Sequence, residues 1–291
     1  MHEVRIRKAK DSDKETVLEF CQNTWEWGDY ISQVWDHWIQ DTKGRLFVGL
    51  LNERPVGICR VLLAKPGEAW FEGLRVDPQY REQGIATLLN HECFSFAKQA
   101  GAKIGRSCII SINKIAQSFA QKLGFRPVTE FVHLECEPHY FEGIGDARWG
   151  KEEDVGAINE FLKNSKVYVK SSGLYTVLFV WYSLEEEDMK VFAKNKRIVI
   201  SEKGGKIKGV TFLDDKIEQA WNIKAIQTCY IDGDTESVGD MIGFLLNHAL
   251  KQKLEKIHAF ACNFKSVASK LRQMGFEPSD EYNLLVFQKV I

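Results

Sequence analysis

The sequence predicts an α/β (α+β) protein built as two tandem domains of one plan, each a mixed, mainly antiparallel sheet flanked by helices. Three observations lead there. The chain has 291 residues, 44% hydrophobic and 27% charged, which is ordinary globular composition and enough for two domains. The first half alternates strand and helix patterns in the order β, helices, β-β-β, α, β, α, β. The second half restates that order with shared residues, which places the domains at about 1–140 and 145–291.

In the first half, Val4 to Lys8 alternates apolar and charged residues and reads as a strand. Asp11-Ser12-Asp13 resembles a helix cap, and Thr16 to Cys21 continues as an amphipathic helix. An aromatic stretch follows, with Trp25, Trp27, Tyr30, Trp35 and Trp38. Two readings stand for it: short helices packed on the sheet, or rings that wall a substrate pocket together with Asp29 and Asp36. Arg45 to Leu51, Val56 to Ala64 and Ala69 to Val76 form an antiparallel meander, with turns at Asn52–Pro55 and Lys65–Glu68. A helix from about Gln83 to Gln99 presents Leu88, Leu89, Cys93 and Phe96, and ends at Gly101. Ile104 to Ile112 is apolar enough for a central strand, parallel to the one before the helix. Lys114 to Leu123 is a helix stopped by Gly124, and Arg126 to Glu135 holds a last strand.

The repeat rests on four echoes in one order. Leu88-Leu89-Asn90-His91 recurs as Leu245-Leu246-Asn247-His248, and Leu123-Gly124-Phe125-Arg126-Pro127 is echoed by Met274-Gly275-Phe276-Glu277-Pro278. Arg45 to Val48 matches Arg197 to Ile200 in kind, and Ala147 to Gly150 with Glu152-Glu153-Asp154 restates the opening strand and its acidic cap.

Composition excludes several classes. A formal net charge of −1 gives no bulk attraction to nucleic acid or to an anionic membrane. No apolar h-region follows the first residues, and the longest apolar run, Thr176 to Leu184, is too short to span a bilayer. The seven cysteines are scattered through apolar runs, with no C-x-x-C and no histidine pair at ligand spacing. Reduced core thiols in a cytoplasmic protein, with no metal, are the expectation.

The chemistry centres on Leu74 to Leu89. Leu74 and Val76 alternate with polar neighbours, and Asp77-Pro78 breaks the strand. Arg81, Gly84 and Ala86 then stand at R-x-x-G-x-A spacing at the mouth of an apolar helix. Small residues there let backbone N–H groups approach a phosphate at a helix N-terminus, and the arginine adds a charged hydrogen bond. A dinucleotide fold needs G-x-G-x-x-G after the first strand of a βαβ unit, and a P-loop needs Lys-Ser/Thr; neither is present.

The region from about Val4 to Cys136 resembles the GNAT N-acetyltransferase family. The match lies in Glu72-Gly73-Leu74-Arg75-Val76-Asp77-Pro78, in Arg81-x-x-Gly84-x-Ala86, and in Asn113-x-x-Ala116 followed by Lys122-Leu123-Gly124-Phe125. The resemblance implies tandem GNAT-like domains and direct transfer of an acetyl group from acetyl-CoA to an amine of a small molecule or peptide. It also implies cofactor contacts at Leu74, Arg75, Val76, Arg81, Glu82, Gln83, Gly84, Ile85, Ala86, Thr87, Asn113 and Ala116. Asn113 is equally suited to cap the helix that follows it.

The attacking amine must be neutral, so a base is useful. Glu72 is the candidate base or substrate contact, the third reading being a solvated strand carboxylate. Its parity matches Leu74 and Val76, which turns it towards their face unless a bulge intervenes. Many family members carry a tyrosine four residues before the Gly-Phe pair, poised to protonate the leaving thiolate; here Ala120 stands there. Ser118, Tyr80 or water are the remaining proton donors. A non-catalytic acyl-CoA-binding or sensor protein is therefore the alternative. Aligned on Leu-Leu-Asn-His, Arg81 becomes Val238, Gly84 becomes Met241 and Ala86 becomes Gly243, so the second domain is expected to lack the CoA site, with Gly239 the one residue suited to a shifted loop. The acceptor stays open among amino acids, peptide N-termini, lysines, polyamines and antibiotics, although the Glu72 strand and the tryptophans resemble histidine acetyltransferase-like members. The chain is expected to act as a monomer or homodimer.

Overall fold

The computed structural model describes residues 4–22, 24, 28–143, 145–217 and 222–291. They pack as two compact units. The first comprises the described residues through Ser107, with Phe119–Arg126 and Gln288–Ile291; the second comprises Cys108–Ser118 and Pro127–Phe287. No helix among the described residues is long and apolar enough to cross a membrane.

The first unit opens with β1 (Arg5–Lys8), a 3-10 turn over Asp11–Asp13, α1 (Lys14–Cys21) and α2 (Ile31–Gln40). Asp13 sets the entry to α1. Its carboxylate accepts from the Lys10 backbone N–H at 2.8 Å and takes a bidentate pair from Arg7 at 2.7 Å. The meander follows as β2 (Gly44–Leu51), β3 (Arg54–Lys65) and β4 (Glu68–Val76). Asn52 and Glu53 both take positive φ, 50° and 63°, which suits a tight hairpin between β2 and β3. α3 (Ile85–Gln99) then carries the chain to β5 (Ile104–Ile110). The strand order is β1-β2-β3-β4-β5, antiparallel except for the parallel pair β4–β5. That parallel junction is the one expected of a helical crossover. Val17, Cys21, Ile31, Trp35 and Trp38 from the two helices pack on Leu46, Val48 and Ile58.

Two features of β4 depart from a regular strand. Its ladder with β5 pairs Glu68, Ala69 and Trp70 with Ile104, Gly105 and Arg106, and ends there. Its register with β3 slips, because Ile58 faces Arg75 while Arg60 faces Glu72. β4 thus carries one extra residue, a β-bulge, beside Gly73 at φ 65°.

The second unit takes the start of α4 (Lys114–Lys122) and most of β6 (Arg126–Cys136), followed by β7 (Ala147–Trp149), α5 (Val155–Lys163), α6 (Lys166–Lys170) and the hairpin β8 (Leu174–Val177) and β9 (Val180–Ser183). It continues through α7 (Glu186–Lys194), β10 (Ile198–Lys203), β11 (Lys206–Asp214), β12 (Ala225–Gly233), α8 (Thr235–Lys251), β13 (Lys256–Cys262), α9 (Lys265–Gln273), β14 (Glu277–Pro278) and β15 (Leu284–Val290), the last up to Phe287. β7, β10, β11, β12 and β13 repeat the order β1 to β5, with β12–β13 as the parallel pair. Arg148 and Asp154 repeat the Arg7–Asp13 pair, and Asp154 also accepts from the Lys151 N–H at 2.8 Å. Among the described residues, the β8–β9 hairpin has no strand counterpart in the first unit. It stacks Tyr175 on Tyr182 and is pinned by Gln227, which accepts from the Leu178 N–H at 3.1 Å and donates to the Thr176 carbonyl at 2.8 Å.

Candidate active site

The bulge decides where Glu72 points. Paired residues of an antiparallel ladder share a face, so Ile58, Arg60, Glu72 and Arg75 all lie on one side. Leu74, on the far side of the bulge from Glu72, no longer shares its face. The parity expected for an unbroken strand is thereby reversed. Gly73 permits this twice over. It adopts a φ that side chains resist, and a Cβ there would stand 2.6 Å from Trp38 Cζ3.

On this face Glu72 is half-buried and paired. Arg60, 3% exposed in the middle of β3, bonds Glu72 through Nη1 and Asp41 through Nη2. Its guanidinium lies 5.0 Å over the Trp38 ring. The Glu72 side chain keeps 20% of its surface exposed. Burial pushes its carboxyl above the usual carboxylate range, against the pull of Arg60 and of a hydrogen bond from Trp70.

A second charged pair lies on the same face. Arg75 donates from Nε to Asp29 Oδ2 at 2.6 Å and from Nη2 to Asp29 Oδ1 at 3.2 Å, with its guanidinium 5.4 Å over the Tyr30 ring. Tyr30 meets Trp38 edge-on at 6.0 Å, which joins the two pairs through aromatic contacts. Trp35 is a core residue, and Asp36 is an exposed partner of Lys14. Of the aromatic stretch, then, Tyr30, Trp38 and Asp29 belong to this face. Trp25 and Trp27 lie outside the described residues.

Beyond Val76 the chain turns through Asp77, whose carboxylate accepts from the Gln79 N–H at 3.0 Å, and a 3-10 turn over Pro78–Tyr80. Arg81 donates from Nε to the Val76 carbonyl at 3.3 Å, and Arg81, Glu82, Gln83 and Gly84 are all exposed. Gly84 is the N-cap of α3 at φ 79°, with no side-chain cap bond and open space around a Cβ. Ile85 is buried, Ala86 half-buried and Thr87 exposed, so the first turn of α3 is anchored below and open above. An uncapped helix N-terminus with an adjacent arginine attracts anions. Glu72, Leu74, Arg75, Val76 and Arg81 to Thr87 thus occupy one continuous strand–loop–helix of the first unit. Asn113 and Ala116 fall in the second, where Asn113 Oδ1 accepts from the Ala116 N–H at 3.0 Å and caps α4. Ala120 is buried.

Arg60 and Asp41 were not singled out in the sequence. The available signal was one arginine inside the apolar run Val56-Gly57-Ile58-Cys59-Arg60-Val61-Leu62-Leu63-Ala64. A charge in a buried strand needs a buried partner. Among the described residues no cluster of three His, Cys, Asp or Glu side chains is arranged to hold a metal ion.

The model of the Acetyltransferase (GNAT) family matches residues 14–125, the span that contains this face and loop. Residues 14–125 form a GNAT-family domain. A histidine N-acetyltransferase of Oreochromis niloticus is 28% identical over 91 residues, 31% of this chain and 27% of that relative. An uncharacterized N-acetyltransferase of Methanocaldococcus jannaschii is 29% identical over 135 residues, 41% of this chain and 59% of that relative. The matches thus span between about a quarter and three-fifths of these relatives' own lengths. Among solved structures, a GCN5-related N-acetyltransferase from Sphaerobacter thermophilus is similar with a TM-score of 0.61 at 13% identity, over 99% of this chain and 95% of its own. A tandem GNAT protein from the clavulanic acid biosynthesis pathway gives 0.52 at 13% identity, over 99% and 98%. Both show likeness of fold.

The counterpart of the GNAT loop in the second unit is helical. Val238, Met241 and Gly243 all lie inside α8, and Val238 and Met241 are fully buried. Gly239 lies in the same helix, with Lys270 Cε 2.5 Å from where its Cβ would stand. α8 starts at Thr235, and the carboxylate of Asp234 accepts from the Ser237 N–H at 2.8 Å at its N-terminus. On the same alignment Glu72 falls on Cys229, and on the Arg45–Arg197 match Arg60 falls on Phe212. Cys229 and Phe212 are both buried in one apolar cluster.

Proposed function

We propose that this protein is an acetyl-CoA-dependent N-acetyltransferase with one active centre per chain, acting on an amine of a small molecule or peptide. The GNAT loop is proposed to hold the CoA pyrophosphate through the backbone at Gln83 to Thr87 and the Arg81 side chain. Leu74 to Val76 are proposed to lie along the pantetheine arm. The observation that carries the reading is the open, uncapped N-terminus of α3 at Gly84, directly after a bulged strand whose ladder with β5 stops at Trp70. Acetyl-CoA supplies a thioester that an amine can attack. The N–C bond forms, the C–S bond breaks, and the thiolate leaves. Backbone N–H groups of β4 beyond Trp70 are proposed to steady the carbonyl oxygen. Glu72 is proposed to take the ammonium proton, or to anchor the ammonium where water takes it.

The proposed tandem organisation is a CoA-binding GNAT domain over 1–140 and a GNAT-like domain without the loop over 145–291. The repeated strand order and the Asp13/Asp154 caps support it. A cytoplasmic setting fits the free thiols of all seven cysteines. The acceptors to try first are free amino acids, histidine among them, given the name of one relative, followed by peptides and polyamines. A thiol-release assay of this panel with the full chain and with Gly84→Trp tests the reading. Acceptor-dependent release by wild type and none by Gly84→Trp is expected; equal release by both defeats it.

A second reading has its own observation: Ala120 stands where a tyrosine acid is usual, and it is buried. Tight acetyl-CoA binding with no release across the panel selects the acyl-CoA-binding protein. A thiol with a pKa near about 8.5 leaves without much help, which favours the enzyme.

A further inference from the structure

Two carboxylates and one arginine meet on the β3–β4 face, and this arrangement goes beyond placing a base. Glu72 and Asp41 approach different nitrogens of the same guanidinium. Arg60 is almost completely buried, and its Nε has no hydrogen-bond partner among the described residues. A buried N–H without a partner is unfavourable, and an apolar residue in its place would avoid that cost.

The second unit makes the comparison concrete. It repeats the strand order with Phe212 in place of Arg60, and Phe212 pairs on β12 with Tyr230 rather than with a carboxylate, both inside apolar packing. The fold itself therefore does not require the charge. Where the carboxylate is absent, the arginine is absent too.

Resting on the reading of Glu72 given above, we propose that Arg60 is a positioning residue that keeps Glu72 ionised and aimed at the acceptor amine. The electrostatics follow from the neighbours. From β3, Arg60 is the cation at Glu72; from the end of α2, Asp41 is a competing anion; from β4 itself, Trp70 donates a hydrogen bond. Ahead of α2, Tyr30 and Asp29 face the same side, and Asp29 is already matched by Arg75. Without Arg60, Glu72 and Asp41 would share a poorly solvated site with no cation between them. Like charges in such a site raise one carboxyl strongly. Glu72 would then hold its proton to higher pH and would be less able to accept a proton or bind an ammonium.

The direct test is the carboxyl carbon resonance of Glu72 in isotope-labelled full-length protein, assigned by its loss in Glu72→Gln and followed against pH. Arg60→Met is expected to move its midpoint up by at least about one pH unit. Arg60→Lys, which keeps the charge, should move it less. Asp41→Asn, which removes the competing anion, should move it down. A midpoint unchanged in Arg60→Met overturns the proposal, whatever happens to the rate. If Arg60→Met does not fold, Arg60→Lys and Asp41→Asn decide, and no shift in either overturns it. In turnover, the acid limb of kcat/KM should follow these midpoints while the KM for acetyl-CoA stays within about twofold. Near wild-type rates for Glu72→Gln would instead refute the assignment of Glu72, independently of the Arg60 titration.

Discussion

Glu72 and Arg75 project from the same face of β4 although their odd spacing would send them to opposite faces of an unbroken strand. The bulge at Gly73 brings them together, and Trp38 packs directly over the glycine.

Gly73→Ala is therefore expected to hurt function and stability. The added methyl meets the Trp38 ring, and the positive φ becomes strained. The combined cost is about 2–4 kcal/mol, read by urea denaturation. The bulge should flatten or the ring should move, so the rate should fall further than the loss of folded protein explains. A fully stable, fully active Gly73→Ala would show that the bulge does not set the site.

This is also where reading the sequence met its limit. The meander, the α3 crossover and the two copies were legible, because alternating strands, Gly punctuation and the repeated Leu-Leu-Asn-His are local signals. The loop Arg81 to Ala86 was legible for the same reason. The bulge was not, because a glycine in a strand signals either a bulge or a close approach, and Gly73 turned out to be both. Arg60 carries no local signal of its role, because its partners lie far away in sequence, at Asp41 and Glu72. The β8–β9 hairpin shows in the sequence only as an apolar run: its turn uses Leu178 at φ 50° in place of the usual Gly or Asn, and Gln227 from β12 holds it.

The Arg7–Asp13 pair gives a pH-dependent prediction. Burial works against the Asp13 charge, but the hydrogen bonds from Arg7 and from the Lys10 N–H outweigh it and hold the carboxyl below its usual range. A depressed folded pKa means stability that is present above the unfolded value, about 3.9, and is lost as pH falls through the folded one. Asp13→Asn should cost roughly 1.5–3 kcal/mol at pH 7. Its deficit against wild type should shrink below about pH 4. Urea melts at pH 7 and at acid pH check both, and a deficit constant with pH would assign the loss to geometry alone.

Arg106 gives a third prediction. It donates to Glu68 at 2.7 Å and to Gln288 at 2.8 Å, and both members of the ion pair are buried. Removing one member of such a pair typically costs about 3–5 kcal/mol, whereas replacing both by apolar residues is often close to neutral. Arg106→Met should therefore be severely destabilising, and Arg106→Met with Glu68→Leu should recover much of the loss. Denaturant midpoints decide this. A double variant no better than the single one would mean that hydrogen bonds rather than the buried charge dominate there.

Gly84 separates ligand contact from folding with two substitutions at one position. A Cβ there meets open space, so Gly84→Ala is strained only through its φ of 79°. That strain costs about 1 kcal/mol. Gly84→Trp carries the same strain, yet its ring reaches over the first turn of α3, where the pyrophosphate is proposed to sit. The two variants should denature at similar urea concentrations. In calorimetric titrations of the full chain with acetyl-CoA, wild type should bind with a single-site stoichiometry, Gly84→Ala should bind measurably but more weakly, and Gly84→Trp should give no heat. Because Asp234 caps the N-terminus of α8 and Met241 is buried inside that helix, no residual binding is expected from the second unit. Persistent saturable binding in Gly84→Trp would place a CoA site elsewhere in the chain and end the one-centre reading.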